Sequence, residues 1–169
     1  MRILIRILIL TLFLSGCQSK NTNEIDSKKL DEYKSIYQTL LQSTATSEAG
    51  TYFDISTEVT HLPDDTYRYY VIVDNASTSM YNVKMIALEV GSDSETIMAP
   101  SIGILDGEVY NLIPSQVSMQ EGFVKGLVLS GDSVNSEINL KVMISWTDEN
   151  GKKQEKEYFD ITCTAPSEQ

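Results

Sequence analysis

A strict alternation of apolar residues near the C-terminus restricts the fold of this chain more than any other feature of its sequence. The period of two in residues 138–146 places the apolar side chains on one face of a half-buried β-strand. The Asn-Gly pair at 150–151 is the strongest short-range signal for a tight hairpin turn. Residues 153–162 then return as the second strand of an antiparallel pair. The alternating residues are Ile138, Leu140, Val142, Ile144 and Trp146.

Strand-like patterns also fill most of the chain before this pair. Turns separate them, for example at Pro63 and Asp64, and Pro and Gly interrupt the weaker candidates. Seven or eight short strands with regular turns predict a mainly β domain at 51–163, folded as a two-sheet antiparallel β-sandwich. The earlier strand candidates are residues 52–60, 66–74, 80–90, 95–99, 107–113 and 122–130.

One helix precedes the strands and is predicted at residues 27–43. Its apolar residues recur at spacings of three and four, which predicts a single apolar face. We expect this face to pack on its own domain, with an oligomer contact or a partner as the open alternative. Residues 44–50 are small and polar and form a linker. The apolar face comprises Leu30, Tyr33, Tyr37, Leu40 and Leu41.

The N-terminus has the three parts of a secretory signal. Arg2 and Arg6 form a basic start, residues 7–14 are apolar except for one threonine, and small residues follow. The apolar run is shorter than the ~18 residues that a membrane-spanning helix requires. We therefore predict that residues 1–16 are a cleaved signal peptide.

The sequence Leu14-Ser15-Gly16-Cys17 resembles the lipobox of bacterial lipoproteins. The resemblance implies that a diacylglyceryl group is attached to the Cys17 thiol, and that the signal is cut between Gly16 and Cys17. Each acyl chain of such a lipid contributes ~0.8 kcal/mol per buried CH₂, so two or three acyl chains hold a protein firmly on a membrane. Residues 17–26 then form the lipidated cysteine and a polar tether. The open alternative is a secreted protein with a disulfide between Cys17 and Cys163.

The chain is acidic, with 13 basic residues, 24 acidic residues and a formal net charge of -11. Removal of Arg2 and Arg6 with the signal brings the charge to -13. Such a chain is repelled by nucleic-acid phosphates and by anionic headgroups, so we expect no nucleic-acid partner. The remaining 153 residues suit one domain. Within it, we expect Cys163 to be a buried structural cysteine.

A second resemblance covers residues 66–162. The sequences Val73-Asp74-Asn75-Ala76-Ser77 and Tyr81-Asn82-Val83-Lys84-Met85 resemble the FxLYD-type and related immunoglobulin-like modules of bacterial envelope lipoproteins. Those modules have a strand, an asparagine turn and an N-V-x-V strand. Leu112-Ile113-Pro114-Ser115-Gln116 stands where they carry a Leu-x-Pro-Gly turn, but here the glycine is absent. The resemblance implies an immunoglobulin-like β-sandwich, a fold that does not by itself imply a function.

No arrangement of catalytic residues is evident in the sequence. His61 is the only histidine, and it lies beside a predicted hairpin tip where a catalytic base is not easily held. One histidine and one spare thiol do not make a zinc site. Acidic pairs such as Asp64 and Asp65 lie in predicted turns. We therefore predict no enzyme activity, no cofactor and no metal site.

Two features are candidates for a partner-binding surface. Arg68 and Tyr70 are of residue types enriched at interface hot spots, although such residues are also ordinary cross-strand partners. Ile102, Ile104 and Leu105 lie in residues 97–114, an apolar stretch interrupted by Pro and Gly. This stretch either crosses between the sheets or forms a loop that presents these three side chains.

The sequence therefore predicts a non-enzymatic interaction or accessory module, held on the extracytoplasmic face of the cell membrane through lipidated Cys17. Its expected partners are the lipid bilayer and an envelope protein that the sequence does not identify. The alternative is a lipoprotein that binds an ion or small ligand through acidic loops. A cell-wall enzyme is a less favoured third hypothesis.

Overall fold

The computed structural model describes residues 27–44, 46–91 and 98–166. The predicted signal peptide, Cys17 and the tether lie outside the described residues. The described chain is mainly β, with 48% strand, one α-helix and antiparallel sheets, which confirms the predicted class. The elements are the helix α1 (Ser27–Gln42) and the strands β1 (Asp54–His61), β2 (Tyr67–Asp74), β3 (Tyr81–Glu89), β4 (Ser101–Ile102), β5 (Asn111–Leu112), β6 (Phe123–Val124), β7 (Gly126–Ser133), β8 (Glu137–Thr147) and β9 (Gln154–Thr164), with a 3₁₀ turn at Met119–Glu121 before β6.

Two sheets pack face to face and enclose the main core. One sheet has the strand order β1-β2-β7 and the other has the order β4-β3-β8-β9. Every pairing within these two sheets is antiparallel, whereas the short β5–β6 pair is parallel. Inward and outward side chains alternate along each strand. The core between the sheets includes Tyr69, Val71, Met85, Val142 and Phe159.

Strand β8 is more deeply buried than the half-buried strand that its alternation predicts. Val142 and Ile144 face the opposite sheet and are fully buried. Met143 points the other way and is buried as well, because it packs beneath α1. The alternation therefore identifies the strand and its inner face correctly. It carries no sign that a helix covers the outer face.

The helix α1 covers the outer face of the four-stranded sheet. Tyr33 and Leu40 are buried in a second core with Ile86 of β3 and Met143 of β8. The Tyr33 hydroxyl also donates a hydrogen bond to the Ala99 carbonyl at 3.2 Å. The helix thus packs on its own domain, and the described residues form three layers: helix, four-stranded sheet and three-stranded sheet.

The stretch between β3 and β7 differs most from the prediction. Part of the predicted strand 95–99 lies outside the described residues, and its remainder is not in a strand. The predicted strand 107–113 is reduced to β5, and Lys125 divides 122–130 into β6 and β7. Gly103 and Gly107 have positive φ values of 71° and 78°, which interrupt the extended backbone. The described residues therefore contain nine strand segments rather than seven or eight.

The direction of α1 distinguishes the two ends of the sandwich. Early in the helix, Glu32 forms an ion pair with Lys84, which lies near the start of β3. Just after the helix, the Ser43 carbonyl accepts a hydrogen bond from the Lys141 ammonium at 2.7 Å, and Lys141 pairs with Leu88 near the end of β3. The helix therefore begins at the end of the sandwich where β3 begins. We call this the helix-start end.

Two adjacent leucines provide a test of the helix packing. Both belong to the predicted apolar face, but Leu40 is fully buried whereas Leu41 is 50% exposed. Leu40→Ala should lower the free energy of unfolding by about 2–5 kcal/mol, because it leaves a cavity between the helix and the sheet. Leu41→Ala, the matched control, should change it by less than about 0.5 kcal/mol. Urea unfolding followed by circular dichroism measures both, and equal losses would contradict this packing.

Candidate interaction surface

No helix or strand in the described part of the chain covers the outer face of the three-stranded sheet, whereas α1 covers the outer face of the other sheet. We call the outer face of the three-stranded sheet the open face. Both residues of the first predicted partner surface, Arg68 and Tyr70, lie on it. The strand register arranges its side chains in three rows: Ser56–Ile72–Val128, Glu58–Tyr70–Ser130 and Thr60–Arg68–Asp132.

The centre of the open face is apolar. Ile72 and Val128 are direct cross-strand partners, and Tyr70 is the next residue along β2 on the same face. Val128 is 55% exposed, and Ile72 and Tyr70 are only partly buried. Side chains in this relation contact one another and form a continuous strip. Contiguous exposed apolar patches mark interaction sites on soluble proteins, so this strip is a candidate protein-binding surface.

An ion pair borders this strip on one side. The Nε and Nη2 atoms of Arg68 donate hydrogen bonds of 2.7 and 2.9 Å to the two carboxylate oxygens of Asp132. These bonds lower the pKa of the Asp132 carboxyl and raise the pKa of the Arg68 guanidinium. Because both side chains are about half exposed, the pair adds little to stability. Its bidentate geometry instead holds the arginine in one orientation across β2 and β7.

The other border of the strip, at the helix-start end, is acidic. Asp54 and Asp74 are direct cross-strand partners, an arrangement that is destabilising for like charges. One oxygen of Asp54 accepts a hydrogen bond from the Asn75 side-chain amide at 2.9 Å. Apart from Arg68, the charged side chains on this face are all carboxylates. The open face therefore combines an apolar centre with a mainly negative border.

The structure corrects the second predicted partner surface. Ile104 is 2% exposed and packs in the core beneath α1, so it cannot present its side chain to a partner. Leu105 packs against the same core, and Ile102 pairs with Met85 and contacts the main core. These three residues lie in other layers of the sandwich than the open face. The two predicted surfaces are therefore not brought together.

Val128 and Ile72 are members of the open face to which the sequence analysis gave no role. The signal that could have found Val128 is the alternation in β7, where Leu127 and Leu129 are buried and the residue between them must point outward. Because residues 122–130 are interrupted by Gly122 and Gly126, the sequence predicts only a weak strand there and does not distinguish its two faces. The alternation in β2 places Ile72 on the same face as Arg68 and Tyr70, but an aliphatic residue on a strand is ordinary and does not by itself indicate a partner surface.

His61 is placed at the end of β1 and has structural contacts. Its ring stacks on Tyr67 with the centroids 4.9 Å apart, and its Nε2 lies 3.5 Å from a carboxylate oxygen of Asp65. Within residues 27–44, 46–91 and 98–166, no group of three or more His, Cys, Asp and Glu side chains could hold a metal ion.

Cys163 is buried in β9. Its thiol donates a weak hydrogen bond to the Ile138 carbonyl at an Sγ–O distance of 3.6 Å, and burial raises its pKa. A buried thiol with a raised pKa carries little reactive thiolate. Cys163 is therefore part of the core packing.

Comparison with known proteins gives no relative: no family model, no curated protein and no solved structure matches this chain. The described residues include no helix with the length and apolar character needed to cross a bilayer.

Asp132→Asn tests the ion pair on the open face. Since the folded-state pKa of Asp132 is lowered, its ionisation stabilises the fold above its ordinary pKa of about 3.9. That contribution is lost as the pH falls through the lowered value. From neutral pH to about pH 2, the variant should therefore lose less unfolding free energy than the native protein. Urea titrations measure the loss, and Arg68→Gln should reduce it similarly; an unchanged loss in both variants would contradict the pairing.

Proposed function

We propose that this protein is a lipid-anchored, extracytoplasmic accessory module that binds another protein of the cell envelope through the open face, without enzymatic activity. The observation that carries the proposal is the difference between the two sheets. The fold covers one outer face with α1 and leaves the other exposed, with the 55% exposed Val128 at its centre. Burying that strip in a partner removes apolar surface from water, which stabilises the complex.

The anchor is proposed on Cys17, on the strength of the preceding Leu14-Ser15-Gly16 and the signal-like start. Nine residues, 18–26, separate Cys17 from the start of α1, and they span at most ~32 Å. The helix-start end would then face the bilayer. The open face runs along the length of the sandwich and would be turned sideways, where a neighbouring envelope protein can reach it.

We also propose that the sandwich is immunoglobulin-like, and the strand order supports this. Strands β1, β2 and β7 form one sheet, and β3 lies beside the final hairpin β8–β9 in the other. Immunoglobulin domains place strands A, B and E in one sheet and C, F and G in the other. The order agrees with the resemblance of residues 66–162 to envelope modules of that type. Because many functions use this fold, it adds no support to the choice of partner.

The chemistry of the open face defines the kind of partner. Its apolar strip requires aliphatic or aromatic side chains opposite Val128 and Ile72. Its carboxylates favour basic side chains at the rim, which would steer association and fix the orientation of the complex. A partner of this kind should bind less tightly as ionic strength rises, because exposed charges are screened by salt.

Metabolic labelling with an alkyne fatty acid tests the anchor. The chain has two cysteines, which provide a matched pair of variants. The native protein and Cys163→Ala should incorporate the label, and Cys17→Ala should not, because only Cys17 is the proposed attachment site. In-gel fluorescence after coupling of a dye reads the result. Label that persists in Cys17→Ala, or is absent from the native protein, would contradict the anchor.

Crosslinking in intact cells tests the open face. Val128→Lys should reduce the yield of a stoichiometric crosslinked envelope protein at least roughly tenfold, because it places a charge in the centre of the strip. Gln38→Lys adds the same charge on the exposed side of α1 and should leave the yield unchanged. Quantitative mass spectrometry compares the crosslinking yields of the two variants. Thermal unfolding shows beforehand that the variants are equally stable. An equal crosslinking yield from Val128→Lys and Gln38→Lys would contradict the proposal for this face.

A further inference from the structure

Strand β7 forms one lateral edge of the three-stranded sheet. It pairs with β2 along all eight of its residues, in one continuous register. An edge strand directs part of its backbone N–H and C=O groups away from the sheet. Among the residues that the structure describes, no backbone hydrogen bond joins β7 to any segment other than β2. The outer edge of β7 therefore presents a regular row of backbone donors and acceptors.

The side chains of β7 leave this edge accessible. Leu127 and Leu129 are buried in the main core, whereas Val128 and Ser130 are exposed. The charged residue of the strand, Asp132, is held by its ion pair within the sheet. Natural proteins protect an edge strand with lysines, prolines or bulges. Strand β7 has no lysine, proline or bulge along its length.

The other edges of the two sheets are better protected. The linker partly covers the edge of β9, where the Ser47 N–H donates a hydrogen bond to the Tyr158 carbonyl at 2.7 Å. The edge strand β4 has only two residues. Strand β1 carries two exposed carboxylates, those of Asp54 and Glu58, on its outer face, and charges of this kind discourage pairing with another strand. Within the described part of the chain, β7 is therefore the long edge with the least protection.

The strand order indicates what the edge of β7 lacks. In the immunoglobulin-like assignment, β1, β2 and β7 correspond to strands A, B and E. Constant-type immunoglobulin domains have a fourth strand in this sheet, strand D, beside strand E. The chain between β4 and β7 instead forms the short β5–β6 pair, which is a separate sheet. The described residues therefore place no strand at the position of strand D.

We propose that β7 accepts an extended segment of the partner protein as an added strand, at the position of strand D. The inference rests on the proposed function, because Val128 belongs both to this edge and to the open face. A row of backbone N–H and C=O groups is satisfied by an extended backbone beside it, which is the basis of strand addition. Every second side chain of the segment would lie on the open face, with an aliphatic or aromatic residue beside Val128. Basic residues at its ends would suit the formal net charge of -11.

A second copy of this chain fits the edge less well than a partner does. Each copy carries the same formal net charge of -11, so two copies repel each other. An antiparallel pair of β7 strands would also point the two helix-start ends, and with them the two proposed anchors, in opposite directions. The added strand is therefore assigned to a different protein.

Photo-crosslinking in intact cells tests the added strand. Benzoylphenylalanine replaces one residue of the full chain at a time, at three positions on β7 and at the three β1 positions in the same rows of the open face. Neighbouring strands lie ~4.8 Å apart, so an added strand lies roughly 5 Å from β7 and roughly 14 Å from β1. The β7 positions should therefore crosslink to one segment of the partner with a yield at least roughly tenfold higher than the β1 positions. The six positions are Val128, Ser130 and Asp132 on β7 and Ser56, Glu58 and Thr60 on β1.

Mass spectrometry of the crosslinked peptides locates the attachment points and separates this inference from the proposed function. In a paired strand the attachment point moves along with the register, so positions 128 and 132 should attach to partner residues about four apart in one segment. Comparable yields from β1, or attachment points that do not move in this way, would indicate a partner that lies on the face and would overturn the added strand alone. Attachment to β7 of a second copy would also overturn it. No crosslinked protein at any of the six positions would contradict both the added strand and the proposed function.

Discussion

The packing of α1 on the outer face of β3 and β8 determines the character of the rest of the molecule. Tyr33 and Leu40 from the helix bury Ile86 and Met143 from the sheet, so the two central strands of that sheet are enclosed on both sides. Among the described residues, none covers the outer face of the three-stranded sheet in this way. This one contact thus decides which outer sheet face is covered and which one keeps an exposed apolar strip.

Much of this architecture could be predicted from the sequence, because regular patterns report on a residue's immediate neighbours. The period of two located β8 and β9, and the spacing of three and four located α1. These patterns do not report what packs on an outer face, so nothing in the alternation indicates that Met143 is buried, and the spacing assigns the half-exposed Leu41 to the same helix face as the buried Leu40. They also fail where the backbone is irregular, which is why Ile104 was a candidate for a partner surface although it lies beneath the helix.

The candidate site, like the fold, could be predicted from the sequence only in part. Arg68 and Tyr70 could be placed on one face of a strand from the sequence alone, since their neighbours alternate. Val128 could not, because its place beside Ile72 depends on the pairing of β2 with β7, strands far apart in the chain. Sites formed by long-range pairing become visible only when the register is known.

The central claim is that a partner covers the open face in the cell, and thiol accessibility tests it most directly. Val128→Cys and Gln38→Cys place a thiol on the open face and on the exposed side of α1, and the native Cys163 is buried. Maleimide labelling of each variant would be compared between intact cells and purified protein. The account predicts that position 128 labels at least roughly tenfold more slowly in cells than after purification, while position 38 labels equally in both. Equal labelling of position 128 in the two preparations would contradict it.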